Sequence, residues 1–150
     1  MRLVILGAGA IGGGLGGACF RGGLDLHLVA RGAHLEALRR GLLWRRPEAD
    51  ELLPIPASSL EELEPKEDDV VAVATKLQHA EALLDRVQRL WGDPVVSMWT
   101  NGLAGDRWAQ RRFTRTVPSV VWVPASVPAP GQAALWGLPS PGQVVLGPGG

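Results

Sequence analysis

The apolar run Leu3-Val4-Ile5-Leu6 passes without a spacer into Gly7-Ala8-Gly9-Ala10-Ile11-Gly12. A buried strand that ends in G-x-G-x-x-G and opens into a helix uses each glycine differently. The first lets the backbone turn sharply, the second admits a pyrophosphate where a Cβ would stand, and the third lets helix and strand pack closely. Phosphates then meet unpaired N–H groups at the positive end of the helix. The motif predicts a dinucleotide-binding α/β unit, with Gly7, Ala8, Gly9, Ala10, Ile11 and Gly12 as candidate cofactor contacts.

The residues around the motif extend it into a Rossmann-type, doubly wound, mostly parallel sheet. Strand 2–6, helix 10–22 and strand 24–29 make one βαβ unit of about 30 residues, and a second helix begins at His34-Leu35-Glu36-Ala37. Gly12, Gly13, Gly14, Gly16 and Gly17 cost the first helix up to ~1 kcal/mol each in propensity. A helix carrying them is expected to be pressed against its neighbours. Residues 41–57, with Trp44, Pro47, Pro54 and Pro56, read as a strand-and-loop excursion. Ser59-Leu60-Glu61-Glu62 fits a capping box and predicts a short helix through Leu63. Strands 70–74 and 95–99 then alternate with helices 79–90 and 103–112. From Val117 onward, prolines and glycines punctuate several short terminal strands, some antiparallel and exposed at an edge. Residues 147–150 read as a linker or frayed end.

Fifteen basic and fifteen acidic residues cancel, which gives no reason to expect a nucleic-acid or membrane-surface partner. The single cysteine, Cys19, excludes an internal disulfide and suits a reducing compartment; it reads as a small buried helix residue. No apolar stretch reaches the ~18 residues of a membrane span, and the short apolar start lacks a cleavage region. A cytoplasmic protein is the expectation. No His/Cys/Glu cluster has metal-ligand spacing, and no serine stands in a nucleophile elbow. His27, His34 and His79 read as structural. The six tryptophans are dispersed and read as packing or interface residues.

Three polar residues fall where open α/β sheets collect ligands, just past the carboxyl ends of strands. Arg31 follows the second strand, at the place where an NAD-binding fold carries an acid for the ribose 2′-hydroxyl. An arginine there pairs with a 2′-phosphate, which favours NADP. Thr75-Lys76 follows strand 70–74, and Thr100-Asn101-Gly102 follows strand 95–99. The lysine can pair with a phosphate or carboxylate, and the Asn amide can hold a ribose or nicotinamide oxygen. Only two of the fifteen basic residues are lysines, so a lysine at this place is informative.

These residues in this order resemble the ketopantoate reductase (2-dehydropantoate 2-reductase) family. The shared features are Gly7-Ala8-Gly9-Ala10-Ile11-Gly12, Arg31 after the second strand, Lys76 after the next core strand and Asn101-Gly102 after the following one. The resemblance implies an NADP-binding domain over residues 1–150, with Lys76 and Asn101 as cofactor and substrate contacts and Ala125 as a further cofactor contact. It implies an oxidoreductase that converts a small-molecule 2-keto acid, ketopantoate, to pantoate with NADPH, in pantothenate biosynthesis. The family's asparagine usually follows a glutamine, where this chain has Thr100. The family's helical second domain supplies a catalytic lysine and the substrate-carboxylate grip, and no residue here matches those. The expectation is therefore a chain that binds NADPH and reduces ketopantoate poorly or not at all by itself, since losing general acid catalysis forfeits roughly 10²–10⁴ in rate. The alternative is a stand-alone nucleotide-sensing module without catalysis. A homodimer formed through exposed tryptophans such as Trp122 or Trp136 is a further expectation.

Overall fold

The computed structural model describes residues 1–148. Side chains alternate across β1 (Arg2–Leu6), and both faces of this strand are buried. Leu3 and Ile5 enter one core cluster, while Val4 and Leu6 enter another. That double burial is why the strand reads as an unbroken apolar run. Beside it lie β2 (Leu26–Val29) and β6 (Asp69–Val73), both parallel to it. The sheet continues outward through β5 (Ala57–Ser58) on one side, and through β7 (Val95–Met98) and β8 (Thr116–Val117) on the other. The resulting six-stranded order is β5-β2-β1-β6-β7-β8, parallel throughout. The order reverses direction between β1 and β6, and such a switch point leaves a crevice at the carboxyl ends of the strands.

One face of this sheet is covered by α3 (Leu77–Trp91) and α4 (Ala104–Gln110), through Ala80, Leu84, Val87 and Ala109. The other face receives α1 (Ala10–Arg21), followed in sequence by β2 and α2 (Gly32–Leu38). A second sheet lies on the far side of α1. It has the order β10-β11-β3-β4, built from β3 (Leu42–Arg45), β4 (Asp50–Leu53), β10 (Ala125–Ser126) and β11 (Gln132–Leu135). A β-carbon on Gly16 would press on Ile5 and Leu28 of the first sheet. On Gly13 it would come within 2.8 Å of the Ala133 methyl, and on Gly14 within 2.5 Å of Leu135, both in the second sheet. On Gly17 it would meet the Trp44 indole, whose N–H donates to the Gly14 carbonyl at 3.0 Å. The expected pressure on the helix is thus two-sided, and its propensity cost is offset by close packing.

The terminal strands are found in two places. β10 and β11 join β3 and β4, while β9 (Ser119–Trp122) pairs antiparallel with β12 (Gln143–Leu146). Val121 and Val144 of that pair face the core, whereas Val120, Trp122 and Val145 face outward, Trp122 at 78% exposure. Trp136 is also exposed, while Trp44 and Trp99 are buried.

One expected element differs. Residues 60–62 form a turn instead of a helix. The capping box itself is made, with the Ser59 amide donating to the Glu62 carboxylate at 2.8 Å and the Glu62 amide donating to the Ser59 hydroxyl at 3.3 Å. Leu60 and Leu63 bury into the core there and Pro65 follows at once, so no second turn can propagate. Cys19 is half-buried, and burial pushes its thiol up and away from the reactive thiolate. Gly147 donates its amide to the Pro118 carbonyl, and the last two residues of the expected linker lie outside the described ones.

Candidate functional site

A cleft of about 620 Å³ opens at the carboxyl edge of the central sheet, over the switch point. Its floor is the motif backbone: Gly7, Gly9, Ala10 and Ile11. Gly7 has φ +95°, a conformation open to glycine and costly for other residues. It anchors the turn by donating its amide to the Val29 carbonyl at 3.0 Å. Gly12 lies beneath, where a side chain would collide with the Gly7 carbonyl oxygen. Gly9 has open space where a Cβ would be.

Gly9 is also the N-cap of α1, so no side chain caps the helix and its first turn holds no acid. The first N–H groups of an α-helix have no intrahelical partner. Here they border an open cleft with neither a competing carboxylate nor a side-chain cap. That is the arrangement a pyrophosphate requires, and the residues present fit a dinucleotide.

The walls come from the loops after β6 and β7, which contribute Ala74, Thr75, Lys76, Trp99, Thr100 and Asn101. Leu77, Val121 and Val127 complete the lining. Lys76 is the N-cap of α3, exposed and without an ion pair among the described residues. It is also the one ionisable side chain in the lining. The hydroxyls of Thr75 and Thr100 are buried with no hydrogen-bond partner. The Thr100 hydroxyl lies beside Gly105 of α4, where a Cβ on that glycine would come within 2.6 Å of it.

The cleft thus gathers Gly7, Gly9, Ala10, Ile11, Lys76 and Asn101. Ala8 is buried behind the loop, with its carbonyl bonded to His34. Arg31 stands apart from the lining, at the N-cap of α2 just past β2. It is exposed and has no salt bridge among the described residues. Ala125 is half-buried on β10, on the side of α1 that carries Gly14. Trp99, Val121 and Val127 escaped the sequence reading, because their place in the lining depends on how distant strands are stacked.

Comparisons with known proteins give the family and the fold. The family model for "Ketopantoate reductase PanE/ApbA" matches residues 3–150. The 2-dehydropantoate 2-reductase of Mesorhizobium japonicum is 34% identical over 157 residues, an alignment covering 87% of this chain and 48% of that protein. The chain therefore spans about half the length of this relative. The crystal structure of 2-dehydropantoate 2-reductase from Geobacter metallireducens superposes with a TM-score of 0.81 at 25% identity, covering 98% of this chain and 49% of that one. D-mandelate dehydrogenase, in its ternary structure with NADH and anilino(oxo)acetate, shares the fold at a TM-score of 0.81 and 23% identity, over 91% of this chain and 46% of that one. The family model spans nearly the whole chain, and the chain belongs to the ketopantoate reductase PanE/ApbA family.

Proposed function

We propose that residues 1–150 form an NADPH-binding domain of 2-dehydropantoate 2-reductase type. The observation that carries this reading is the pairing of an uncapped α1 N-terminus with two cations, Arg31 and Lys76, that have no ion pair among the described residues and lie on the same sheet edge. In it, Gly7 to Gly12 receive the pyrophosphate on backbone N–H groups. Arg31 pairs with the 2′-phosphate, Lys76 and Asn101 hold the nicotinamide half and the substrate, and Ala125 borders the cofactor from β10. Bound NADPH supplies a hydride for the carbonyl carbon of a 2-keto acid.

The alkoxide formed there must also take a proton. Among the lining residues only Lys76 ionises, and neither a carboxylate nor a histidine accompanies it. The reading therefore includes ketopantoate reduction that is slow or absent in this chain alone. The same sparse lining suits a nucleotide-sensing module, which would bind without turnover. Outward-facing Val120, Trp122 and Val145 favour self-association as the way this chain covers apolar surface.

Trp99 in the cleft wall provides the assay. Titration of tryptophan fluorescence should give saturable quenching by NADPH and weaker binding of NADH. Ketopantoate is then added while NADPH absorbance is followed. Binding of neither nucleotide would overturn the reading, and any turnover of ketopantoate would exclude the sensing module.

A further inference from the structure

His34 is the one histidine that touches the glycine loop, and nothing in the cofactor chemistry above uses it. It lies in the first turn of α2, three residues after Arg31, and is half-buried. The amide of Gly131 donates to its Nδ1 at 2.9 Å. That contact leaves the proton of the neutral ring on Nε2, which donates to the carbonyl of Ala8 at 2.5 Å. One imidazole thus joins the loop after β1, the helix after β2 and the turn before β11. Gly131 reaches the ring through a left-handed backbone, φ +78°, packed so closely on Ala37 that a Cβ would come within 2.6 Å of that methyl.

The consequence lies in the peptide that links Ala8 to Gly9. A trans peptide is planar, and its C=O and N–H point in opposite directions. Holding the Ala8 carbonyl against the ring therefore turns the Gly9 N–H away from it. Gly9 lines the cleft and has open space where a Cβ would stand. We propose that His34 is a positioning residue: by gripping the Ala8 carbonyl it presets the Gly9 amide to donate to the pyrophosphate. This rests on the dinucleotide reading of the cleft. It concerns the part of the cofactor that NADH and NADPH share, whereas Arg31 concerns the 2′-phosphate alone.

The test is to titrate NADPH and NADH into the full chain, its His34→Leu and His34→Gln variants, and to melt each without ligand. The expected result is a loss of about tenfold for both nucleotides in His34→Leu, the equivalent of one net hydrogen bond. The ratio of the two affinities stays at the parental value. In His34→Gln, whose amide can both donate and accept, affinity recovers. Parental affinity in a folded His34→Leu overturns the proposal, and so does a loss confined to NADPH, which would place the effect at Arg31. Should His34→Leu not fold, His34→Phe replaces it. If neither folds while His34→Gln binds as the parent does, the bridge is structural and the proposal is overturned. A parent chain that binds neither nucleotide removes the dinucleotide reading itself, a failure separable from all of these.

Discussion

Arg2 and Asp69, at the amino-terminal edge of the central sheet, are buried at 8% and 2% exposure. They are joined by two hydrogen bonds of 2.9 and 2.7 Å. The Glu64 carbonyl accepts a third bond from the guanidinium, and the Lys66 amide donates to the carboxylate. At the carboxyl-terminal edge, Arg31 and Lys76 are exposed and have no ion-pair partner among the described residues, and the hydroxyls of Thr75 and Thr100 stand unbonded. The same sheet thus ends in saturated polar groups on one side and unsatisfied ones on the other. A fold can tolerate unpaired groups where a ligand or water completes them, and it needs satisfied ones where the core closes. In this chain the amino edge is closed by its own polar groups, and the carboxyl edge leaves groups open to a ligand or water.

The contrast can be broken most severely at Arg2. Arg2→Met strands the Asp69 carboxylate inside the protein and should cost about 3–5 kcal/mol in urea denaturation. NADPH affinity of the folded fraction should be unchanged, and a parallel loss of affinity would show that the two edges are not independent. Next in size is Arg31→Ala, expected to weaken NADPH by about 10- to 100-fold, the worth of a charge-assisted contact. NADH affinity should stay at the parental value, with stability within about 0.5 kcal/mol. Equal losses for both nucleotides would remove Arg31 from the 2′-phosphate.

The smallest effect concerns His27 on β2, which donates to the Ser58 hydroxyl at 2.8 Å. Burial pushes its imidazole below the ordinary histidine value, and the charge of Arg2 adds to the shift. The unfolded chain then takes up the proton first. Stability should fall as pH drops through about 6.5 and level off below the folded value. Urea midpoints on either side of that window should differ in the parent and converge in His27→Gln. If the variant keeps the full slope, His27 is not its source.

The strand, the glycine loop and the alternation that follows were legible because each signal is local. Leu3 to Leu6 state their own burial, and the positions of Lys76 and Asn101 follow from the ends of the strands before them. The second sheet was not legible in the same way. It pairs β11 with β3, so Gln132 lies against Leu43, and no periodicity in either segment announces a partner so far along the chain. The turn at Ser59 shows the opposite limit: the capping hydrogen bonds that the sequence predicts do form, yet burial of Leu60 and Leu63 and the nearby Pro65 decide the conformation. His34 read as an ordinary helix residue because its second partner, Gly131, is distant in sequence.

The glycine-faced helix has a mechanical meaning as well. With Gly16 against one sheet and Gly13, Gly14 and Gly17 against the other, α1 has no loose flank along which to slide. Any tightening of the loop on a ligand is passed rigidly through the helix into β3 and β11. Strands that never touch the nucleotide should therefore gain protection when it binds. On this packing the loop and the sheet behind it should respond to a ligand together, a change that amide hydrogen exchange would read.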